Sequence, residues 1–187
     1  MKSIVIALIL LLMFPAVLFA DVTMGIFFDE TPYTMHYYPT HMEEFVGYII
    51  THNIECQLSA VEFALDIPAG IWPGDIDIPE GSLILGDLMT GLSITYWPPL
   101  DPALTGYNFL CSIHFLAVDW CIMCGGTLAD APIKVKPSQR GQLPPFLGGT
   151  CWPNNEKVEM IGLTSILCPQ YIAVEEESWG AIKSLFK

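Results

Sequence analysis

Leu58-Ser59-Ala60-Val61-Glu62-Phe63-Ala64-Leu65-Asp66-Ile67 is the stretch on which the fold class turns. Val61, Phe63, Leu65 and Ile67 fall on one face of an extended chain, with Glu62 and Asp66 on the other. That alternation is what a strand needs when one side covers a core and the other meets water. Tyr107 to Asp119 extends the pattern: Tyr107, Phe109, Cys111, Ile113, Phe115 and Ala117 share one face. The opposite face carries Asn108, Leu110, Ser112, His114, Leu116 and Val118, which predicts a central strand covered on both sides and a buried, hydrogen-bonded His114.

Working outward, short β-branched and aromatic runs recur between Pro, Gly, Asp and Asn, and helical periodicity is almost absent. The candidate strands are 22–28, 43–52, 58–67, 82–85, 92–97, 107–119, 133–136 and 157–166. About eight short strands of this kind predict an all-β domain of two stacked sheets. From Gly125 to Pro153 the chain reads as its longest region of weak structure, with Pro132, Pro137, Pro144 and Pro145 in it.

The N-terminus carries Lys2 and then an uncharged run from Ile4 to Ala20, the layout of a secretory signal cut after Ala20. Left uncleaved, the same run approaches the length of a membrane anchor. Either outcome places the remainder, a domain at 21–174 with a tail at 175–187, outside the cytoplasm or in the cell envelope. The chain has a net charge of −13, with 7 basic and 20 acidic residues. Such a balance argues against nucleic acid and anionic membranes as partners, because both select Lys and Arg. Six cysteines, Cys56, Cys111, Cys121, Cys124, Cys151 and Cys168, read as up to three disulfides in an exported chain, with connectivity left open. Cys121-Ile-Met-Cys124 has the spacing of a redox or zinc-binding pair, but neither a second close pair nor a strand-to-helix context accompanies it.

The tail departs from the rest. Glu175-Glu176-Glu177 precedes Ser178, which can cap a short helix ending in Lys183 and Lys187. Trp179, Ile182, Leu185 and Phe186 would then form an apolar stripe for a partner, for export machinery, or for one end of the domain.

Gly25-Ile26-Phe27-Phe28-Asp29, Ala60 to Leu65, Leu85-Gly86 and the strand from Leu110 to Phe115 resemble exported domains of uncultured bacteria, which are in turn similar to cohesin-type and other immunoglobulin-like sandwiches. The tail resembles a Trp-Gly-x-Ile-Lys-x-Leu-aromatic ending of exported proteins. What the resemblance implies is an immunoglobulin-like or cohesin-like β-sandwich; it brings no catalytic residue, and no dockerin-binding motif matches residue by residue.

Candidate sites follow from side-chain chemistry. Trp72-Pro73, Trp97-Pro98 and Trp152-Pro153 are read as turn or extended-loop positions whose rings either cover the core or stack on a sugar or a partner. Asp75, Asp77 and Glu80 form a candidate calcium loop, with Asp29 and Glu30 as a second, and His36, His41, Glu43 and Glu44 a weaker zinc candidate. No Gly-x-Ser-x-Gly elbow is present. The reading is a secreted or cell-surface, non-catalytic binding or structural domain whose partner is another extracellular or envelope protein. A carbohydrate-binding module using Trp72, Trp97 and Trp152 is the alternative, and a hydrolase comes third.

Overall fold

The computed structural model describes residues 21–101, 106–118, 131–140 and 144–167. Residues 1–20, Cys121, Cys124, Cys168 and the tail with Trp179, Ile182, Leu185 and Phe186 lie outside them. The described residues form thirteen strands and no helix.

They build two sheets. The smaller holds β12 (Ile161–Gly162), β1 (Thr23–Phe27), β3 (Glu44–His52), β8 (Tyr107–Ala117) and β5 (Ile71–Asp77), in that order. The larger runs β11 (Glu156–Glu159), β10 (Gly148–Trp152), β4 (Gln57–Asp66), β9 (Ala131–Lys136), β13 (Thr164–Leu167) and β2 (His36–Tyr37). A branch from β4 adds β7 (Gly91–Leu100) and then β6 (Leu83–Asp87). β4 is the hub: β10 pairs with its residues 57–62, β7 with 58–63 and β9 with 64–66.

The alternation in β4 explains this position. Leu58, Val61, Phe63 and Leu65 are all buried, and they join Ile94, Tyr96, Ile26, Ile49, Ile113 and Phe115 in one core between the sheets. Tyr96 spans that interior, its hydroxyl donating a long 3.3 Å bond to the Leu110 carbonyl of β8. The Ser165 hydroxyl of β13 likewise donates to the Ile26 carbonyl of β1. These two bonds satisfy buried polar groups while holding the two layers in one relative position.

Several expectations are corrected. β8 is central in its sheet but is not covered on both sides, since Phe109 is 41% exposed and His114 is an exposed residue. The register between β3 and β8 slips between Ile49 and Ile50, opposite Leu110, so Leu110 turns inward and Phe109 outward. An irregularity of this kind breaks the single face predicted from simple alternation. β2, β5 and β10 were not expected. β5 tolerates Pro73 because it lies at a sheet edge, where a missing N–H costs no ladder bond. β10 contains Gly148 and Gly149, which read as loop punctuation; a Cβ on Gly149 would come 2.6 Å from Leu58 Cδ1 and 2.7 Å from the Ala60 carbonyl. Glycine there lets β10 approach β4.

Cys56 and Cys151 form a disulfide with Cα atoms 5.7 Å apart, closing a sequence separation of 95 residues. It lies where β4 and β10 both slip in register, and the Ser59 hydroxyl donates to the Thr150 carbonyl at 2.9 Å beside it. Cys111, expected to be paired, is instead a free thiol fully buried in β8. The Cys56→Ser/Cys151→Ser variant is expected to lose about 2–4 kcal/mol of unfolding free energy, because the bridge restricts the unfolded chain over a long loop. Urea unfolding checks this, and an unchanged midpoint contradicts the role given to the bridge.

Candidate binding surface

The outer face of the larger sheet follows from the same registers that fix the core. Residues directly opposite one another on antiparallel strands share a face. Leu83 of β6 lies opposite Thr95 of β7, Thr95 opposite Ala60 of β4, and Ala60 opposite Thr150 of β10. The next row places Leu85, Ser93, Glu62 and Gly148 in line. The centre of this face is therefore made of small residues and one carboxylate, Ala60, Thr95, Thr150, Ser93 and Gly148 with Glu62 among them. Its β6 border is apolar, with Leu83 71% and Leu85 64% exposed.

A tryptophan pair stands at the other end. Ala60 pairs with Thr95 but Leu58 pairs with Leu100, so residues 96–99 of β7 lie opposite Ser59 alone. Trp97-Pro98 belongs to this arch, and Trp97 is 65% exposed. Its ring meets Trp152 of β10 edge to face, with centroids 6.1 Å apart and planes at 79°. Pairs of this geometry are attractive because the ring edge is positive and the face negative.

Trp72-Pro73 and Trp97-Pro98 thus lie within strands, which corrects their expected turn and loop placement, while Trp152 ends β10 and Pro153 opens the turn before β11. None of their rings is buried: Trp72 is 63% exposed and Trp152 44%. The structure brings Trp97 and Trp152 together and sets Trp72 apart, on β5 of the other sheet. The edge-to-face pair gives no flat platform on which a sugar ring would stack.

The acidic candidates also part company. Asp75 and Asp77 lie on β5 and not in a loop, Asp75 within a register slip between Pro73 and Ile76 and Asp77 past it. The Asp77 carboxylate pairs with His114 Nε2 at 2.8 Å, while Glu80 lies beyond β5 in the turn before Ser82. That pair is solvent-exposed on both sides, so it contributes little to stability. Glu43 is engaged elsewhere, accepting bonds from the Tyr37 hydroxyl at 2.6 Å and the Thr40 hydroxyl at 2.8 Å. The Tyr37 bond, together with those from Thr40, lowers the Glu43 pKa, and the same bond pushes the Tyr37 hydroxyl up to about 12. Among the described residues no group of three or more His, Cys, Asp or Glu side chains is placed to hold a metal ion. Burial pushes the Cys111 thiol up, away from the reactive thiolate.

With this geometry in place, solved structures supply the parallel. A type II cohesin domain from the cellulosome of Acetivibrio cellulolyticus matches with a TM-score of 0.52 and 11% identity, over 80% of this chain and 96% of the cohesin. The sixth cohesin of that organism's scaffoldin B, in complex with a Cel5 dockerin, matches with a TM-score of 0.51 and 10% identity, over 80% and 99%. The third ScaB cohesin of R. flavefaciens, in complex with a group 1 dockerin, gives 0.50 and 13%, over 79% and 94%. The fold is cohesin-like. No protein-family model and no curated protein matches the chain. At these identities the likeness is one of architecture, and the cohesin-like sandwich here carries its own surface residues.

Sequence reasoning found the three tryptophans but not the Leu83 and Leu85 border. That border was readable only as a strand, since exposure of both its faces depends on β6 lying at the end of its branch. Trp97→Ala, Trp152→Ala and the double variant are expected to show a coupling of about 0.5–1.5 kcal/mol in urea unfolding, the range for an aromatic pair in contact. Additive effects would mean that the two rings stand independently.

Proposed function

We propose that this chain is a non-catalytic protein-binding module that docks its partner on the outer face of the β10-β4-β7-β6 part of the larger sheet. The observation carrying this reading is the outward-facing row from the exposed Leu83 and Leu85, across exposed Thr95 and half-buried Ala60, with the exposed Trp97–Trp152 pair at its end. Exposed Trp is enriched among residues that dominate interface energies, and Ala60, Ser93, Thr95 and Gly148 beside Glu62 let a partner backbone come close. Two cohesins with this architecture form complexes with dockerins, and a dockerin-type module is the partner proposed here.

The setting proposed is extracellular or at the cell envelope. Residues 1–20 serve as the export signal, which agrees with a disulfide at Cys56–Cys151. The tail stripe of Trp179, Ile182, Leu185 and Phe186 serves as a second contact, with export machinery or an envelope protein. Nothing in the arrangement of the tryptophans favours a carbohydrate ligand over a protein.

Isothermal titration of the oxidised chain against a set of recombinant dockerin modules tests this. A module should bind, and Trp97→Ala should weaken it about tenfold or more, equivalent to 1.4 kcal/mol. Trp72→Ala, on the other sheet, should leave the affinity unchanged. Binding that is lost with Trp72→Ala and kept with Trp97→Ala overturns the assignment of the face, and no binding by any module overturns the partner.

A further inference from the structure

Among the described residues five strands lie at sheet edges: β2, β5, β6, β11 and β12. An edge presents a row of unpaired N–H and C=O groups that can template another strand, and folded proteins blunt such edges by shortness, charge, proline or bulges. Four of the five are blunted. β2 and β12 are only 2 residues long. β5 has Pro73, a register slip after it, and Asp75 and Asp77. β11 carries Glu156, Lys157 and Glu159 in four residues.

β6 has none of these devices across Leu83-Ile84-Leu85. Among the described residues it pairs only with β7, and its five residues are all exposed, including Leu83 at 71%, Ile84 at 37% and Leu85 at 64%. Because an antiparallel strand directs alternate backbone groups to opposite sides, every second residue of β6 turns its N–H and C=O away from β7. An uncharged apolar segment whose outward backbone groups meet no strand among the described residues is the form that a pairing edge takes.

We infer that β6 pairs antiparallel with β6 of a second copy of this chain, about a two-fold axis through Ile84, joining two larger sheets edge to edge. The segment is self-complementary in that register. Ile84 meets its own copy, Leu83 meets Leu85 twice, and Ser82 meets Gly86. The flanking acids do not oppose each other, since Glu80 falls opposite Leu88 and Asp87 opposite Gly81. Moving the axis to Leu83 or Leu85 sets apolar side chains opposite Gly81 or Gly86 and loses those contacts. Two-fold pairing of one patch with itself is also the commonest way for a soluble chain to associate.

Charge sets the strength of the contact without preventing it. The chain carries −13, so two copies repel at long range, and salt screens that repulsion over about 10 Å. Locally Asp87 accepts hydrogen bonds from the Thr90 hydroxyl and the Thr90 and Met89 N–H groups, which favour its charged form, and the Arg140 guanidinium against Gly86 adds to this, so one flanking acid is partly offset within its own copy. A single edge-to-edge ladder of this length is a small interface, of the weak and reversible class. This association goes beyond the docking of a partner on the sheet's face and is tested on the chain alone.

Analytical ultracentrifugation of the oxidised chain over about 10 µM to 1 mM, the range where weak interfaces respond, should show the mean mass rising toward that of a dimer. Leu83→Lys/Leu85→Lys should stay monomeric throughout with an unchanged melting temperature, because both side chains are exposed in the monomer. Ile84→Cys, placed on the axis, should add an oxidised dimer band on a non-reducing gel that Leu83→Cys does not add. A mass that stays monomeric overturns the inference, as does a dimer that survives the lysine pair. Failure here leaves dockerin titration unaffected, so the two readings fall separately.

Discussion

Every other part of this sandwich depends on the register of β4. Its inward row of Val61, Phe63 and Leu65 is buried to within 1% of complete exclusion from water. The strand also serves three neighbours, β10, β7 and β9. Side chains alternate across a strand, so a slip of one residue would turn Glu62 into the core and Phe63 into water. That penalty fixes β4, and β4 fixes the sheet. At its N-terminal end, where the alternation is interrupted between Leu58 and Ala60, the ladder alone is weakest. The Cys56–Cys151 bridge and the Ser59 bond to the Thr150 carbonyl lie at that point.

The proposed binding face is the other side of the same constraint. Once Val61, Phe63, Ile94 and Tyr96 face inward, Ala60, Glu62, Ser93 and Thr95 must face outward, and they are small or polar. The interruption at Ser59 also gives β7 room for the 96–99 arch that raises Trp97 toward Trp152. Leu83 and Leu85 are outward because they are paired with Thr95 and Ser93, and exposed because β6 has no further neighbour among the described residues. A centre of small residues beside Glu62, an apolar border and an aromatic ridge thus come from one register and two irregularities in it. The surface suits a protein that presents side chains to the ridge and backbone to the centre.

The sequence shows the layers more readily than the edges. β1, β3, β4, β7, β8 and β9 were legible because their apolar residues recur with strand periodicity, and the all-β class followed from them. β5 and β10 were not, because Pro73 and the Gly148-Gly149 pair carry the marks of loops, and only the tertiary setting makes them acceptable in strands. Irregularities were illegible for a related reason. One residue beyond the regular ladder at Leu110 reverses Phe109, and nothing in the local pattern announces it. Trp72, Trp97 and Trp152 were visible as unusual, yet their grouping into a pair and a single ring depends on which sheet each strand joins. Cys111 looked like any of the other cysteines until β8 placed it in the core. The cohesin-like resemblance carried by the strand residues agrees with the architecture, while surface chemistry had to come from the structure itself.

We propose that a protein partner docks on the outer face of β10, β4, β7 and β6. Hydrogen–deuterium exchange of the chain with and without a bound dockerin module tests it most directly, because it reports on every strand at once. The account predicts slowed exchange in peptides covering 83–100 and 148–152, with 71–77 and 44–52 of the smaller sheet unchanged. Protection confined to the smaller sheet, around Trp72 and His114, would contradict it.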